Sequence, residues 1–240
     1  LFFVTPNPEF LVRASKNPDF RNILNRAELA SNDGIGITIA AKILGKSLKG
    51  RFTGVDLVES LCKVVAEKPI TVGFLGGSVG VAEKTAECLR KKYPGLKIGF
   101  VGEEWTNIPA GPVGLHPRPT SSLTTFRSGA RRGSPAPATR LKSFSSATPR
   151  DNNLTMEQFN NETIDILFVG FGAPKQEFWI NENLDKIPVK IAIGVGGAFD
   201  YISGRVERAP SWIQNIGFEW LYRLILQPWR FKRQLALVKF

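Results

Sequence analysis

Asp33 stands between Asn32 and Gly34, directly ahead of an apolar run that begins at Ile35. Two roles fit a carboxylate there. It can cap the helix that follows, since Asp is among the best N-cap residues. It can also serve as a general base at the helix mouth, near the turn Thr5-Pro6-Asn7 that follows the first apolar run. A second group of candidates follows two later apolar runs. Ile164 to Val169 breaks into Gly170-Phe171-Gly172-Ala173-Pro174-Lys175-Gln176, and Val189 to Ile193 breaks into Gly194-Val195-Gly196-Gly197-Ala198-Phe199-Asp200. Small residues after a strand let backbone approach a ligand closely. Asp200 and Arg205 add a carboxylate and a guanidinium able to meet a ribose and a phosphate. Gly196-Gly197 can equally be no more than a tight turn.

What is missing narrows the chemistry. The one histidine, His116, lies in a Ser/Thr/Pro/Arg-rich stretch, so histidine triads and histidine metal sites have no support. No Asp-x-Asp pair is present to hold a metal on a diphosphate. Charge on a departing diphosphate would then fall to helix amino ends and arginines, with no cofactor expected. Gly76-Gly77-Ser78-Val79-Gly80 stands where a dinucleotide fingerprint would, but it departs from G-x-G-x-x-G and no acidic residue closes a following strand.

The elements that must position these residues follow from periodicity. Short Ile/Val-rich runs read as strands buried on both faces, as in a parallel sheet. They are expected at Leu1–Val4, Ile70–Leu75, Leu96–Val101, Ile164–Val169 and Val189–Ile193. Helices are expected from Pro8, from Pro18, over Ile37–Leu44, over Val55–Glu67, up to Tyr93, over Leu154–Asn161 and, as an amphipathic helix, over Lys175–Leu184. Alternating strands and helices predict an α/β fold, a doubly wound, Rossmann-like and mostly parallel sheet. Ser211–Phe240, with Trp212, Trp220 and Trp229 among Arg223, Arg230 and Arg233, predicts a basic, aromatic, membrane-associating appendage, an interfacial helix pair broken at Pro228. The division is thus a core of 1–105 and 151–210, a low-complexity insertion over 106–150, and an appendage over 211–240.

The chain of 240 residues has a formal charge of +11, but Thr106–Arg150 holds seven cations and no acid, and setting those seven aside leaves +4. That segment cannot bury enough apolar surface to offset its ordering entropy. A flexible insertion, a basic anion-binding arm and a frame-shifted stretch all fit it. Cys62 and Cys88 sit in helix-like patterns and fit a reducing compartment rather than a disulfide framework. No apolar run approaches the roughly 20 residues that span a bilayer. Leu1 opens directly in a strand-like run, so an upstream portion is expected.

Several motifs, in order, carry a resemblance. Thr5-Pro6-Asn7-Pro8-Glu9, Asp33-Gly34-Ile35-Gly36, Arg51-Phe52-Thr53-Gly54-Val55-Asp56, Phe74-Leu75-Gly76-Gly77 and Tyr93-Pro94-Gly95 resemble the WecG/TagA/CpsF family of bacterial glycosyltransferases. So do Gly172-Ala173-Pro174-Lys175-Gln176-Glu177, Gly194–Asp200, Arg208-Ala209-Pro210 and Glu219-Trp220-Leu221-Tyr222-Arg223-Leu224. The resemblance implies an inverting transferase that moves an N-acetylmannosamine-type sugar from UDP to a polyprenyl-diphosphate-linked N-acetylglucosamine in cell-surface polysaccharide or teichoic acid synthesis. It implies Asp33 as the base, Thr5 and Asn7 lining the sugar and nucleotide pocket, and Gln176 reaching the diphosphate. It also implies Gly196, Gly197 and Asp200 holding the uridine, with Arg223, Arg230 and Arg233 of the tail on the diphosphates. A cytoplasmic enzyme peripheral to the inner face of the membrane follows, with self-association open and another strand and helix before Thr5.

Two other classes compete. A nucleic-acid-binding protein would use the basic segment and aromatic tail, but its charge is segregated and no nucleic-acid motif is present. A Rossmann-type nicotinamide oxidoreductase would use the glycine turns.

Overall fold

The computed structural model describes residues 1–48, 50–104, 163–228 and 231, all within one compact unit, Leu1–Pro109 with Phe159–Phe240. The insertion over 106–150, the helix expected at Leu154–Asn161, and Arg230 and Arg233 lie outside the described residues.

Six strands form one sheet: β1 (Phe2–Val4), β2 (Leu29–Ala30), β3 (Thr71–Leu75), β4 (Lys97–Gly102), β5 (Ile164–Val169) and β6 (Val189–Gly194). Their order is β2-β1-β6-β5-β3-β4, and every pairing is parallel. The two strands followed by glycine loops, β5 and β6, are neighbours, with Leu167 opposite Ala192. β2 escaped the periodicity because it is two exposed residues with no apolar run.

Successive side chains on a strand face opposite sides of the sheet. Ile166 and Phe168 of β5, Val72 and Phe74 of β3, and Ile193 of β6 enter one core layer. That layer is closed by α4 (Gly54–Val65), α5 (Val81–Lys92) and α7 (Ala198–Ile202). Phe74 stacks on Phe168 at 5.6 Å and meets Phe199 edge-on at 5.8 Å, which fastens α7 to the sheet. The opposite face, including buried Leu167 and Val169, lies on the side of α1 (Pro8–Lys16), α2 (Pro18–Arg26) and α6 (Lys175–Asn183). Phe10, Phe20 and Phe178 form an aromatic cluster joining those three helices. Helices on both faces make the sheet doubly wound, as the strand composition predicts.

Local chemistry explains most of the boundaries. Asn7 and Asn17 accept hydrogen bonds from Phe10 N and Phe20 N, and each is followed by proline at the first helical position. Thr53 caps α4 by accepting from Asp56 N. α6 is helical as expected but not amphipathic in the expected sense. Its buried stripe carries Gln176, Glu177 and Asn183 beside Ile180, so polar groups fill the inward face. In the tail, α8 (Ser211–Ile216) and α9 (Glu219–Leu226) are separated at Gly217, whose φ of 83° favours glycine. The helix break therefore falls at Gly217 as well as ahead of Pro228.

Gly54 shows how tightly α4 is seated. A Cβ there would stand 2.8 Å from the carbonyl oxygen of Val195, just past β6. Gly54→Ala is expected to lower the thermal midpoint, by about 1–3 kcal/mol of overpacking. A calorimetric midpoint equal to that of the parent would show that α4 is free to shift.

Candidate active site

β1 leads into α1 on one face of the sheet, whereas its neighbour β6 leads into α7 on the other. Open α/β sheets bind ligands at such a switch point, outside the carboxyl ends of the strands. A cleft of about 350 Å³ lies here. Its walls include Asn7 and Pro8 after β1, Val195, Gly197 and Ala198 after β6, and Arg51, Thr53 and Gly54 at the start of α4. Asp33 and Gly34 line it ahead of α3 (Ile35–Ile43), and Glu219, Trp220 and Arg223 line it from α9.

Asp33 does not cap α3. The N-cap is Gly34, with φ 112°, and it makes no side-chain cap bond. The Asp33 backbone is instead pinned by its own N–H donating to Pro6 O at 3.0 Å, which leaves the carboxylate to the cleft. Burial raises its pKa to about 7, helped by the carboxylates of Glu219 and Asp56 and opposed by the Arg51 guanidinium and the Gly54 N–H. A carboxyl that ionises near neutrality at the wall of a cleft is suited to taking a proton.

Around Asp33 is a charge network that sequence reasoning missed. Arg208 donates from Nη2 to Asp56 Oδ1 at 2.6 Å and from Nε to Glu219 Oε1 at 3.1 Å. Thr53 Oγ1 donates to Asp56 Oδ2 at 2.7 Å. Burial would raise the Asp56 pKa, but the Thr53 hydroxyl and the Arg208 guanidinium outweigh it and hold the carboxyl below its usual range. Arg51 donates to the carbonyl of Gln214 in α8. Arg208 and Asp56 lie 152 positions apart. No local spacing signals such a pair, although both residues fall in motifs that carry the family resemblance.

The remaining candidates divide by position. Asn7, Gly197 and Arg223 share the cleft with Asp33. A Cβ on Gly197 would stand 2.7 Å from Arg223 Nη1, so the guanidinium lies directly over that backbone. Arg223 also donates to Asp200 Oδ2 at 3.0 Å and stacks over the Tyr201 ring at 4.7 Å. Thr5 is buried beneath the cleft, its hydroxyl donating to Gly194 O at 2.7 Å and so joining the ends of β1 and β6.

Gln176 is 1% exposed and does not reach out as expected. Its Oε1 accepts from Gly172 N and Gly196 N, and its Nε2 donates to Glu177 Oε1 at 2.6 Å. It therefore positions the loops after β5 and β6 rather than offering its amide to a ligand. Arg205 is also elsewhere, lining an open depression with Ser78–Val81, Lys84 and Ser203. Among the described residues, no three His, Cys, Asp or Glu side chains converge as metal ligands would.

Fold and cleft together define an α/β enzyme scaffold with a ligand crevice at the strand carboxyl ends. Comparison with known proteins gives the class its family. The glycosyl transferase WecG/TagA/CpsF family matches residues 1–106 and 138–240, and the chain belongs to that family. It is 30% identical over 239 residues to a Bacillus spizizenii protein named N-acetylglucosaminyldiphosphoundecaprenol N-acetyl-beta-D-mannosaminyltransferase, covering 100% of this chain and 76% of that one. A Bacillus subtilis protein of the same name is 29% identical over 236 residues, covering 98% and 75%. The chain is thus a glycosyltransferase, and the nucleic-acid and nicotinamide readings give way.

Arg208 is the test of the network. Arg208→Ala removes a cation shared by Asp56 and Glu219, and about 2 kcal/mol of stability is expected to go with it. Arg208→Lys should recover little, because a single ammonium cannot replace a fork that donates in two directions. Denaturant midpoints equal to the parent in both variants would show that the network contributes nothing.

Proposed function

We propose that this chain transfers an N-acetylmannosamine-type sugar from a UDP donor to a polyprenyl-diphosphate-linked N-acetylglucosamine, with inversion. One observation carries the mechanism: Asp33, whose carboxyl ionises near neutrality, lines the same cleft as the Arg223 guanidinium. The relatives' names support the two sugars and the lipid diphosphate.

In the proposed step the Asp33 carboxylate takes the proton of the acceptor hydroxyl. That oxygen bonds to the anomeric carbon as the bond to the UDP oxygen breaks, and UDP leaves with the electron pair. Asn7 faces the sugar, and the Gly196–Asp200 loop receives the uridine. Thr5 and Gln176 act beneath the cleft by holding the ends of β1, β5 and β6 in register. Arg223 offsets the diphosphate charge, joined by Arg230 and Arg233 further along the tail. A lipid-linked acceptor places the enzyme at a membrane surface, which we assign to the cytoplasmic face. Among the described residues no helix is long and apolar enough to cross a membrane, so contact would be peripheral.

Asp33→Asn is expected to reduce UDP release at least 100-fold while leaving UDP binding near that of the parent. The parent's kcat/KM should fall as pH drops below about 7, because protonation removes the base. Parent-like turnover in the variant would remove Asp33 from that role.

Stability supplies an independent sign. Because the folded pKa lies above that of the unfolded chain, the folded protein holds an extra proton between about 4 and 7, and ionisation costs stability as pH rises through that window. Asp33→Asn should therefore melt higher than the parent at pH 8, with the gain shrinking toward pH 4. A variant that melts lower at pH 8 would overturn the assigned ionisation.

A further inference from the structure

The apolar helix α3, Ile-Gly-Ile-Thr-Ile-Ala-Ala-Lys-Ile, has no buried residue. A helix of that composition normally buries a face against the core. Here Ile43 is 79% exposed, Leu44 just beyond it 73%, and Ile39 52%. The tail helices behave alike, since neither α8 nor α9 has a buried residue. Of the 18 exposed large apolar side chains among the described residues, 13 fall within 39–52 and 212–231. Elsewhere among the described residues most apolar side chains are buried, so this clustering is not a general looseness of packing.

The two apolar regions are contiguous in space. A Cβ on Gly217, between α8 and α9, would stand 2.7 Å from Ile35 Cβ at the start of α3. Both regions also border the cleft, α3 through Ile35 and Gly36 and α9 through Trp220 and Leu224. Charge distinguishes the possible occupants. From Gly34 to Val55 the sequence has no carboxylate, and Lys42 and Lys46 are exposed beside the apolar side chains. An anionic lipid surface complements exposed apolar side chains interleaved with cations. A second copy of the chain, related by a two-fold axis through this face, would set cations against cations.

We propose that α3, with Leu44 and Leu48, is a second bilayer-contacting element that works alongside the tail. With α3 and α9 both on the membrane, the cleft opens onto the lipid surface between them. The acceptor's sugar hydroxyl then reaches Asp33 while its lipid chain stays in the bilayer. This last point rests on the proposed lipid-linked acceptor; the membrane contact of α3 does not.

The test uses the full chain, the double variant Ile43→Glu/Leu44→Glu, and flotation on vesicles of phosphatidylcholine with or without phosphatidylglycerol, whose negative surface potential attracts cations beside a membrane. The parent is expected to float with the anionic vesicles and to be released by salt. The double variant should bind at least about tenfold more weakly, with an unchanged melting temperature because both side chains are exposed. Turnover with a long-chain polyprenyl acceptor in vesicles should fall in parallel, whereas turnover with a short-chain soluble acceptor should not. Equal flotation of variant and parent overturns the proposal. So does equal loss with both acceptors, which would make α3 a wall of the cleft only. A change confined to sedimentation, from dimer to monomer, assigns the face to a second copy and overturns it as well. Absence of UDP release by the parent with either acceptor defeats the proposed function and leaves the flotation result to decide α3.

Discussion

Arg208 sits between two carboxylates from distant parts of the chain, Asp56 in the first turn of α4 and Glu219 at the first residue of α9. A half-buried carboxylate without a partner is costly, and two side by side repel each other. One forked guanidinium relieves both, because Nε and Nη2 donate in different directions. The tail is thereby tied to the core at the wall of the cleft. The same wall of the cleft shapes Asp33: burial raises its pKa most, the Glu219 and Asp56 carboxylates of the network add to that, and Arg51 moderates it.

A second constraint works under the cleft. Gly172 and Gly196 belong to loops after adjacent strands, and both donate their N–H to one oxygen of Gln176. The amide can be oriented only one way for this to hold, and Glu177 fixes it by accepting from Nε2. Burial raises the Glu177 pKa to about 7, even against the hydrogen bond from Gln176. Gly194 has to be glycine for the same reason, since a Cβ there would stand 2.7 Å from Gln176 Nε2. Polar residues on the inward face of α6 thus replace an apolar stripe because the glycine loops above them present N–H groups that need acceptors.

These two constraints mark where sequence reasoning succeeds and where it stops. Runs such as Ile164–Val169 and Val189–Ile193 announce buried parallel strands, and Asn-Pro pairs announce the starts of α1 and α2, because both signals are local. Asp33 was legible as a candidate but ambiguous, since a cap and a base differ only in where the carboxylate points. The structure removes the cap role, because Gly34 takes the cap position. The motif of Gln176 marks a position near the crevice without saying that its amide is buried against the Gly172 and Gly196 loops. Arg205 was grouped with Asp200 on proximity in sequence, yet the end of α7 carries it to another surface. Arg208 was overlooked because its partners lie far away along the chain.

How the tail is attached explains why its apolar side chains are left over. Its hydrogen bonds to the core run through charge: Arg208 to Glu219, Arg223 to Asp200, and Arg51 to the Gln214 carbonyl. No residue of α8 or α9 is buried, so apolar burial contributes little to holding them. A sequence that commits Trp212, Trp220 and Ile225 to surface helices while fastening those helices through charge leaves the apolar area free for a different medium. α3 is in the same condition beside them, its Ile35 against Gly217 and its Ile39 and Ile43 exposed. A lipid surface lowers the free energy of both faces at once, and it does so at the mouth of the cleft that Asp33 lines.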